Sequence, residues 1–303
     1  MQVSDRVEVV LDDSSILNGK GIMDHNEFRL KASDGMELFA QRWVPEREPV
    51  VGVVCAIHGL GGHSGRYNHL ADVLGQAGYV TMAIDLHGHG RSPGKRGHVS
   101  SYQRMLDDIT LLLDEAQKWH PDIPLFLYGH SMGGGLVLNY ALRRDAPLAG
   151  VIATGPALRL GFEPPPLQVA LTKLMNAIWP AFTQTSGLDA QALSRDPKVI
   201  QRYQADPLVH DQISASLFNG IYQAGLWALE HADAFPTPLL LMHGNEDRLT
   251  SPDASREFAN RVGDGCTFKL WEGLYHEIHN EPEQDQVFAF LLGWLRHQVE
   301  QEK

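Results

Sequence analysis

Apolar, β-branched runs alternate with stretches of helical period along most of this chain, and no other feature narrows the fold as much. Residues 50–57 (VVGVVCAI) form one continuous run, the pattern of a strand buried on both faces. The spacing predicts a helix at 66–77, then a strand at 79–84, a helix at 101–119 and a strand at 124–128. A helix at 132–144 and a strand at 148–154 follow. Such alternation predicts a mostly parallel sheet with helices on both faces. Ahead of it, residues 27–32 and 36–44 predict two strands turning at Asp34-Gly35. After a break the pattern resumes with a strand at 237–243, a helix at 252–262, a strand at 267–272 and a helix at 284–298. The strands make an eight-stranded sheet.

The break has its own character. Residues 156–188 hold three charged side chains, Arg159, Glu163 and Lys173, and Pro164-Pro165-Pro166 opens a helical stretch. We expect residues 1–155 and 236–303 to form the core and residues 156–235 to form an inserted, mainly helical lid over the strand C-termini, where such sheets bind ligands. Residues 1–22 carry no clear pattern and are expected to be an extension or an edge element.

Composition excludes several functions. In 303 residues, 25 Lys and Arg face 37 Asp and Glu, a net charge of −12 that repels phosphate backbones, so no nucleic-acid partner is expected. No apolar run approaches the roughly 20 residues that cross a bilayer, and the first residues lack the pattern of a secretory signal. With two cysteines, Cys55 and Cys266, the expected location is the cytoplasm, peripheral to membranes when the lid touches one.

The chemistry centres on Gly129-His130-Ser131-Met132-Gly133, a G-x-S-x-G motif between a strand and an apolar helix. With 29 glycines in the chain, the bare motif can arise by chance, and the strand-to-helix placement is what gives it weight. There a serine sits on a tight turn, and the neighbouring glycines leave room for it. A serine hydroxyl needs a base, and the base needs an orienting acid. In the α/β-hydrolase fold these follow in the order Ser, acid, His on later strand-exit loops. The loop after 237–243 carries Asp247, with Glu246 and Asp253 as neighbours in competition. The loop after 267–272 carries His276, with His279 three residues on. Ser131, Asp247 and His276 are therefore the expected triad. Backbone N–H groups of Leu60 and Met132 are the expected oxyanion donors, and His58 is expected to brace the Gly59–Gly62 loop. Neither His276 with His279 nor His87 with His89 has further ligands at matching spacing, so no metal or cofactor is expected.

Several blocks resemble the monoacylglycerol lipase family, within the wider lysophospholipase-like serine α/β-hydrolases. They are His58-Gly59-Leu60-Gly61-Gly62-His63-Ser64-Gly65-Arg66-Tyr67, Asp85-Leu86-His87-Gly88-His89-Gly90-Arg91-Ser92, the serine motif, Gly244-Asn245-Glu246-Asp247-Arg248-Leu249 and Glu272-Gly273-Leu274-Tyr275-His276-Glu277. The resemblance implies hydrolysis of a monoacylglycerol to fatty acid and glycerol through an acyl-enzyme, with a lipid ester as the partner molecule and no obligate protein partner. It implies that Arg66, His130 and Tyr203 bind substrate at the glycerol end. Gly62 stands where some relatives have an acidic residue. Thr250 replaces a cysteine of some animal members, which implies lower sensitivity to thiol reagents. A lysophospholipase or general carboxylesterase would use the same triad, and a non-catalytic lipid receptor on this scaffold would usually lack one of its members. In 167–179 the polar residues Gln168, Thr172, Lys173 and Asn176 share one helical face, so the broad apolar arc is expected to cover the active site or to touch a membrane transiently.

Overall fold

A computed structural model of the chain describes residues 23–46, 48–162 and 165–301. The expectation for residues 1–22 lies outside these. The first strands, β1 (Met23–Lys31) and β2 (Glu37–Pro45), pair antiparallel. β1 begins ahead of the expected 27 because its polar first residues are held by backbone pairing to β2, with Met23 opposite Pro45. Then come β3 (Gly52–Ile57), α1 (Asn68–Gln76), β4 (Tyr79–Ile84), α2 (Tyr102–Trp119), β5 (Leu125–His130), α3 (Met132–Arg143) and β6 (Gly150–Thr154). After the inserted segment the alternation closes with β9 (Leu239–Gly244), α7 (Pro252–Val262), β10 (Cys266–Trp271) and α8 (Gln284–Gln301).

The sheet has eight strands in the order β1-β2-β4-β3-β5-β6-β9-β10. β2 meets β4 antiparallel, and every pairing from β4 to β10 is parallel. The fold is thus the expected α/β-hydrolase sheet. Successive side chains of a strand point to opposite faces. Cys55 and Ile57 pack with Leu106, Ile109 and Leu136 on one face, whereas Val54 and Ala56 pack with Leu70, Leu291 and Leu295 on the other. Fully burying one such side chain contributes about 1.5–3 kcal/mol, so a run buried on both faces specifies its place in the centre.

Between β6 and β9 lie α4 (Pro166–Ile178), β7 (Thr183–Thr185), α5 (Pro197–Ala205), β8 (Gln212–Ser214) and α6 (Ala215–Glu230). The segment is mainly helical, with one addition. β7 and β8 form a small antiparallel ladder of three residues each, too short to leave a periodic signal. α6 is seated on the core. Its Ala224, Gly225, Ala228 and Leu229 are buried, and the Asn139 side chain on α3 donates to the Ala224 carbonyl at 3.1 Å. α4 rests on α6 and leaves Leu167, Leu171, Ile178 and Trp179 exposed.

β5 runs through Gly129 and His130, so α3 starts one residue after the strand ends. This is possible only with backbone against backbone. A Cβ at Gly129 would stand 2.2 Å from the Gly133 carbonyl oxygen, and one at Gly133 would stand 2.2 Å from that of Ile57. Gly133→Ala is therefore expected to destabilise the fold by about 1–3 kcal/mol, read as a lower midpoint in urea. An unchanged midpoint would show that α3 can shift away without penalty.

Candidate active site

Ser131 occupies the junction of β5 and α3 with φ 59° and ψ −118°. A residue with a side chain held in such a region carries about 1–3 kcal/mol of strain. Backbone bonds hold it there: the Ser131 N–H donates to Thr154 O at 2.9 Å, and its carbonyl accepts from Gly135 N and Ala157 N at 2.9 Å each. The result lifts the hydroxyl off the end of the sheet.

Across 145 residues of sequence, His276 Nε2 meets Ser131 Oγ at 2.8 Å, and its Nδ1 meets Asp247 Oδ2 at 2.6 Å. The carboxylate fixes the tautomer: Nδ1–H donates to Oδ2, leaving the Nε2 lone pair for the serine proton. Asp247 is over-determined. Its Oδ1 accepts from Leu249 N at 2.7 Å and Thr250 N at 3.1 Å, and its Oδ2 also accepts from Thr250 Oγ1 at 2.8 Å and His243 Nε2 at 3.0 Å. His243, fully buried at the end of β9, bonds Ser255 Oγ through Nδ1 at 2.7 Å.

Charge follows from these contacts. Burial raises the Asp247 pKa, but His276 and the hydrogen bonds of His243 and His276 outweigh it and hold the carboxyl well below its ordinary value. Burial lowers the His276 pKa, and the adjacent Asp247 carboxylate more than reverses this, so the imidazole lies above 6.5. His130 and His279 lie well below 6.5, chiefly through burial and then through neighbouring imidazoles. Both are neutral at neutral pH.

The loop of the expected oxyanion donors is braced as anticipated for His58. Leu86 N–H donates to His58 Nε2 at 3.0 Å, and the ring bonds Gly59 O through Nδ1 at 2.8 Å. Burial pushes this imidazole down to about 4, so it stays neutral. Buried Asp85 fastens the same loop, accepting from Ser64 N and Ser64 Oγ at 2.6 Å each and from Arg91 N at 2.7 Å. The Leu60 and Met132 N–H groups have no acceptor among the described residues. Preorganised, unsatisfied donors of this kind suit a charge that appears only during reaction.

Two pockets meet at Leu60 and Ser131. One is the more polar, lined by Arg66, His130, Tyr203, Glu277 and His279 beside Leu188 and Leu193. The other is apolar, lined by Met132, Leu158, Ile213, Phe218 and Ile221 among others. A third cavity of about 710 Å³ lies at the opposite end of the sheet among Val51, Pro124 and Pro147, and holds none of these groups. In the polar pocket, Arg66 Nη2 donates to both Glu277 oxygens, at 2.7 and 2.8 Å, and the guanidinium lies 4.8 Å from the Tyr203 ring centre. His130 bonds Thr154 O at 3.1 Å and Oγ1 at 3.0 Å through Nδ1, and its ring lies 4.6 Å from His276 and 4.7 Å from His279.

Every side chain expected at the site is thus brought to Ser131 or to a pocket beside it. Among the described residues no hydrogen bond or ion pair joins Glu246 or Asp253, the competitors of Asp247, to His276; Glu246 is exposed and Asp253 pairs with Arg256. His243 and Glu277 were not anticipated. A histidine ending the apolar run LLLMH was the one available signal for His243, whereas Glu277 finds its partner 211 residues away. Among the described residues no cluster of His, Cys, Asp or Glu could hold a metal ion, and no described helix is long and apolar enough to cross a membrane.

Comparison with known proteins gives this geometry its setting. A family model described as serine aminopeptidase, S33, matches residues 48–283. A monoacylglycerol lipase of Mycolicibacterium smegmatis is 37% identical over 263 residues, covering 86% of this chain and 93% of that protein. An abhydrolase domain-containing protein of Dictyostelium discoideum is also 37% identical, over 90% of this chain, and the chain spans 29% of its length. The crystal structure of Paleococcus ferrophilus monoacylglycerol lipase superposes with a TM-score of 0.80 at 36% identity, covering 87% of this chain and 100% of that one. The chain belongs to this family of serine α/β-hydrolases, the one that includes the monoacylglycerol lipases.

Proposed function

We propose that this protein is a carboxylic ester hydrolase that cleaves monoacylglycerols to fatty acid and glycerol, with Ser131 as nucleophile, His276 as base and Asp247 as orienting acid. The observation that carries the reading is the 2.8 Å contact of His276 Nε2 with Ser131 Oγ at the meeting point of a polar and an apolar pocket. The acyl chain fits the apolar side and the glycerol fits the polar side, near Arg66, His130 and Tyr203. Ser131 Oγ attacks the ester carbonyl as its proton passes to His276 Nε2, and Asp247 stabilises the imidazolium. The oxyanion is held by the N–H groups of Leu60 and Met132, each worth about 3–4 kcal/mol at the transition state. His276 then gives the proton to the departing alcohol. Water, deprotonated by the same imidazole, releases the fatty acid from the acyl-enzyme.

The family description also names aminopeptidases. Recognition of a free α-ammonium calls for an unpaired carboxylate, and the Glu277 carboxylate in the polar pocket is already taken by Arg66. We take residues 156–235 as the lid and the cytoplasm as the location, in keeping with two free cysteines, Cys55 and Cys266.

A fluorophosphonate probe is expected to label the protein at Ser131 and to leave Ser131→Ala unlabelled. A panel of mono-, di- and triacylglycerols, lysophospholipids, p-nitrophenyl esters and an aminoacyl p-nitroanilide is expected to show the highest kcat/KM on a monoacylglycerol. Preference for any other class would overturn the substrate assignment.

Acidity should act through His276. The imidazole must be neutral to accept the proton, and its pKa lies above 6.5, so kcat/KM should fall as the pH drops through that raised value. Asp247, held well below its ordinary range, stays ionised throughout. An acid limb centred below the ordinary imidazole value contradicts the assignment.

On α4, Leu171 is 55% exposed and Ile178 71%, whereas Met175 is partly buried. Contact of the lid with a lipid surface would then rest on Leu171, Ile178 and Trp179 more than on Met175. Replacing those three with Ser is expected to lower partitioning onto phosphatidylcholine vesicles with no loss of rate on a soluble ester. Unchanged partitioning rejects lipid contact.

A further inference from the structure

We infer that Glu277 makes the polar pocket selective for uncharged leaving alcohols by neutralising Arg66, so that esters bearing a phosphate on the alcohol are rejected. This rests on the reading above, in which the polar pocket receives the alcohol.

Arg66 is the cation that lines this pocket. An unpaired guanidinium beside the reacting ester would be a ready phosphate site, since its fork matches a phosphate face. Here the guanidinium charge is already matched, through Nη2, by the Glu277 carboxylate. Both Glu277 oxygens sit on Nη2, and one of them also accepts from Asn280 Nδ2 at 2.7 Å. The pair is largely sealed, with side-chain exposures of 15% for Arg66 and 7% for Glu277. The backbone is pinned as well: Glu277 N–H donates to Leu193 O of the inserted segment at 2.7 Å.

Apart from His276, the other titratable groups facing the pocket add no positive charge. His130 and His279 are kept neutral by burial, and the Tyr203 phenol is pushed up by burial. Asp206 carries a further negative charge near Arg66 and takes its own hydrogen bond from His63 at 2.8 Å. A phosphate entering this space would have to displace Glu277 or lie against its charge in a medium that screens poorly. Glycerol would meet lone pairs and N–H groups with no net charge to oppose it. The discrimination is thus by repulsion of the wrong ligand as much as by attraction of the right one. Because Glu277 directly follows His276, one loop carries both the base and the selecting charge.

The test compares 1-oleoylglycerol with 1-oleoylglycerol 3-phosphate, which differ by one phosphate at a fixed acyl chain. Glu277→Gln is expected to lower the neutral-to-anionic ratio of kcat/KM by about tenfold or more. The double variant Arg66→Met with Glu277→Gln removes the exposed cation and should restore the neutral preference. An unchanged ratio in Glu277→Gln overturns the inference. A second measurement needs no variant: glycerol 3-phosphate should protect wild-type Ser131 from a fluorophosphonate no better than glycerol does at equal concentration. Clearly stronger protection by the phosphate also overturns it. Protection is read whatever the preferred ester, so failure of the monoacylglycerol assignment would appear in the wild-type panel and not here.

Discussion

An imidazole suspended between a buried carboxylate and an alcohol is the contact on which the arrangement turns. His276 bonds Asp247 at 2.6 Å on one side and Ser131 at 2.8 Å on the other. Neither contact is local. Each depends on parallel strands ending at the same level, so that loops after β5, β9 and β10 share one edge. The sheet order supplies this: β5, β6, β9 and β10 are consecutive neighbours. The carboxylate is buried at a solvation cost, and that cost is offset by hydrogen bonds from Leu249, Thr250, His243 and His276. A satisfied buried carboxylate is fixed in position and charge, and it fixes the tautomer of His276 in turn.

The surroundings of Ser131 divide by polarity. Aliphatic and aromatic side chains from α3, β8 and α6 line one side, and Arg66, Glu277 and four histidines line the other. This division suits a molecule with a long apolar tail and a small polar head. The inserted segment contributes to both sides through Ile213, Phe218 and Tyr203, and it is also tied to the His276 loop, where Glu277 N–H reaches Leu193 O and Ser194 Oγ reaches Asn280 O at 2.9 Å. Movement of that part of the insertion would therefore disturb the loop that carries His276. α4 of the same insertion presents exposed apolar residues, among them Leu171 and Ile178.

Legibility tracked the range of each interaction. The central strands were readable because burial on both faces demands unbroken apolar runs such as 50–57. Ser131 was readable because a strand-to-helix turn with close backbone approach demands glycines at 129 and 133, whose Cβ atoms would collide with carbonyl oxygens. Asp247 and His276 were readable because chain order and strand ends place them. His243 was harder, since a histidine closing an apolar strand reads as an interruption until its partner is known. β7 and β8 left no trace, for three residues show no period and their ladder joins segments far apart in the chain.

Periodicity and glycine placement were sufficient for the sheet, the turn under Ser131 and the loops bearing Asp247 and His276, because each of these is a demand of backbone geometry on nearby residues. The pairing of Arg66 with Glu277, the support of Asp247 by His243 and the seating of α6 on α3 emerged from packing. Their partners lie on different elements, and a charge or a polar group acquires its electrostatic role only when folding has removed water and chosen its neighbours.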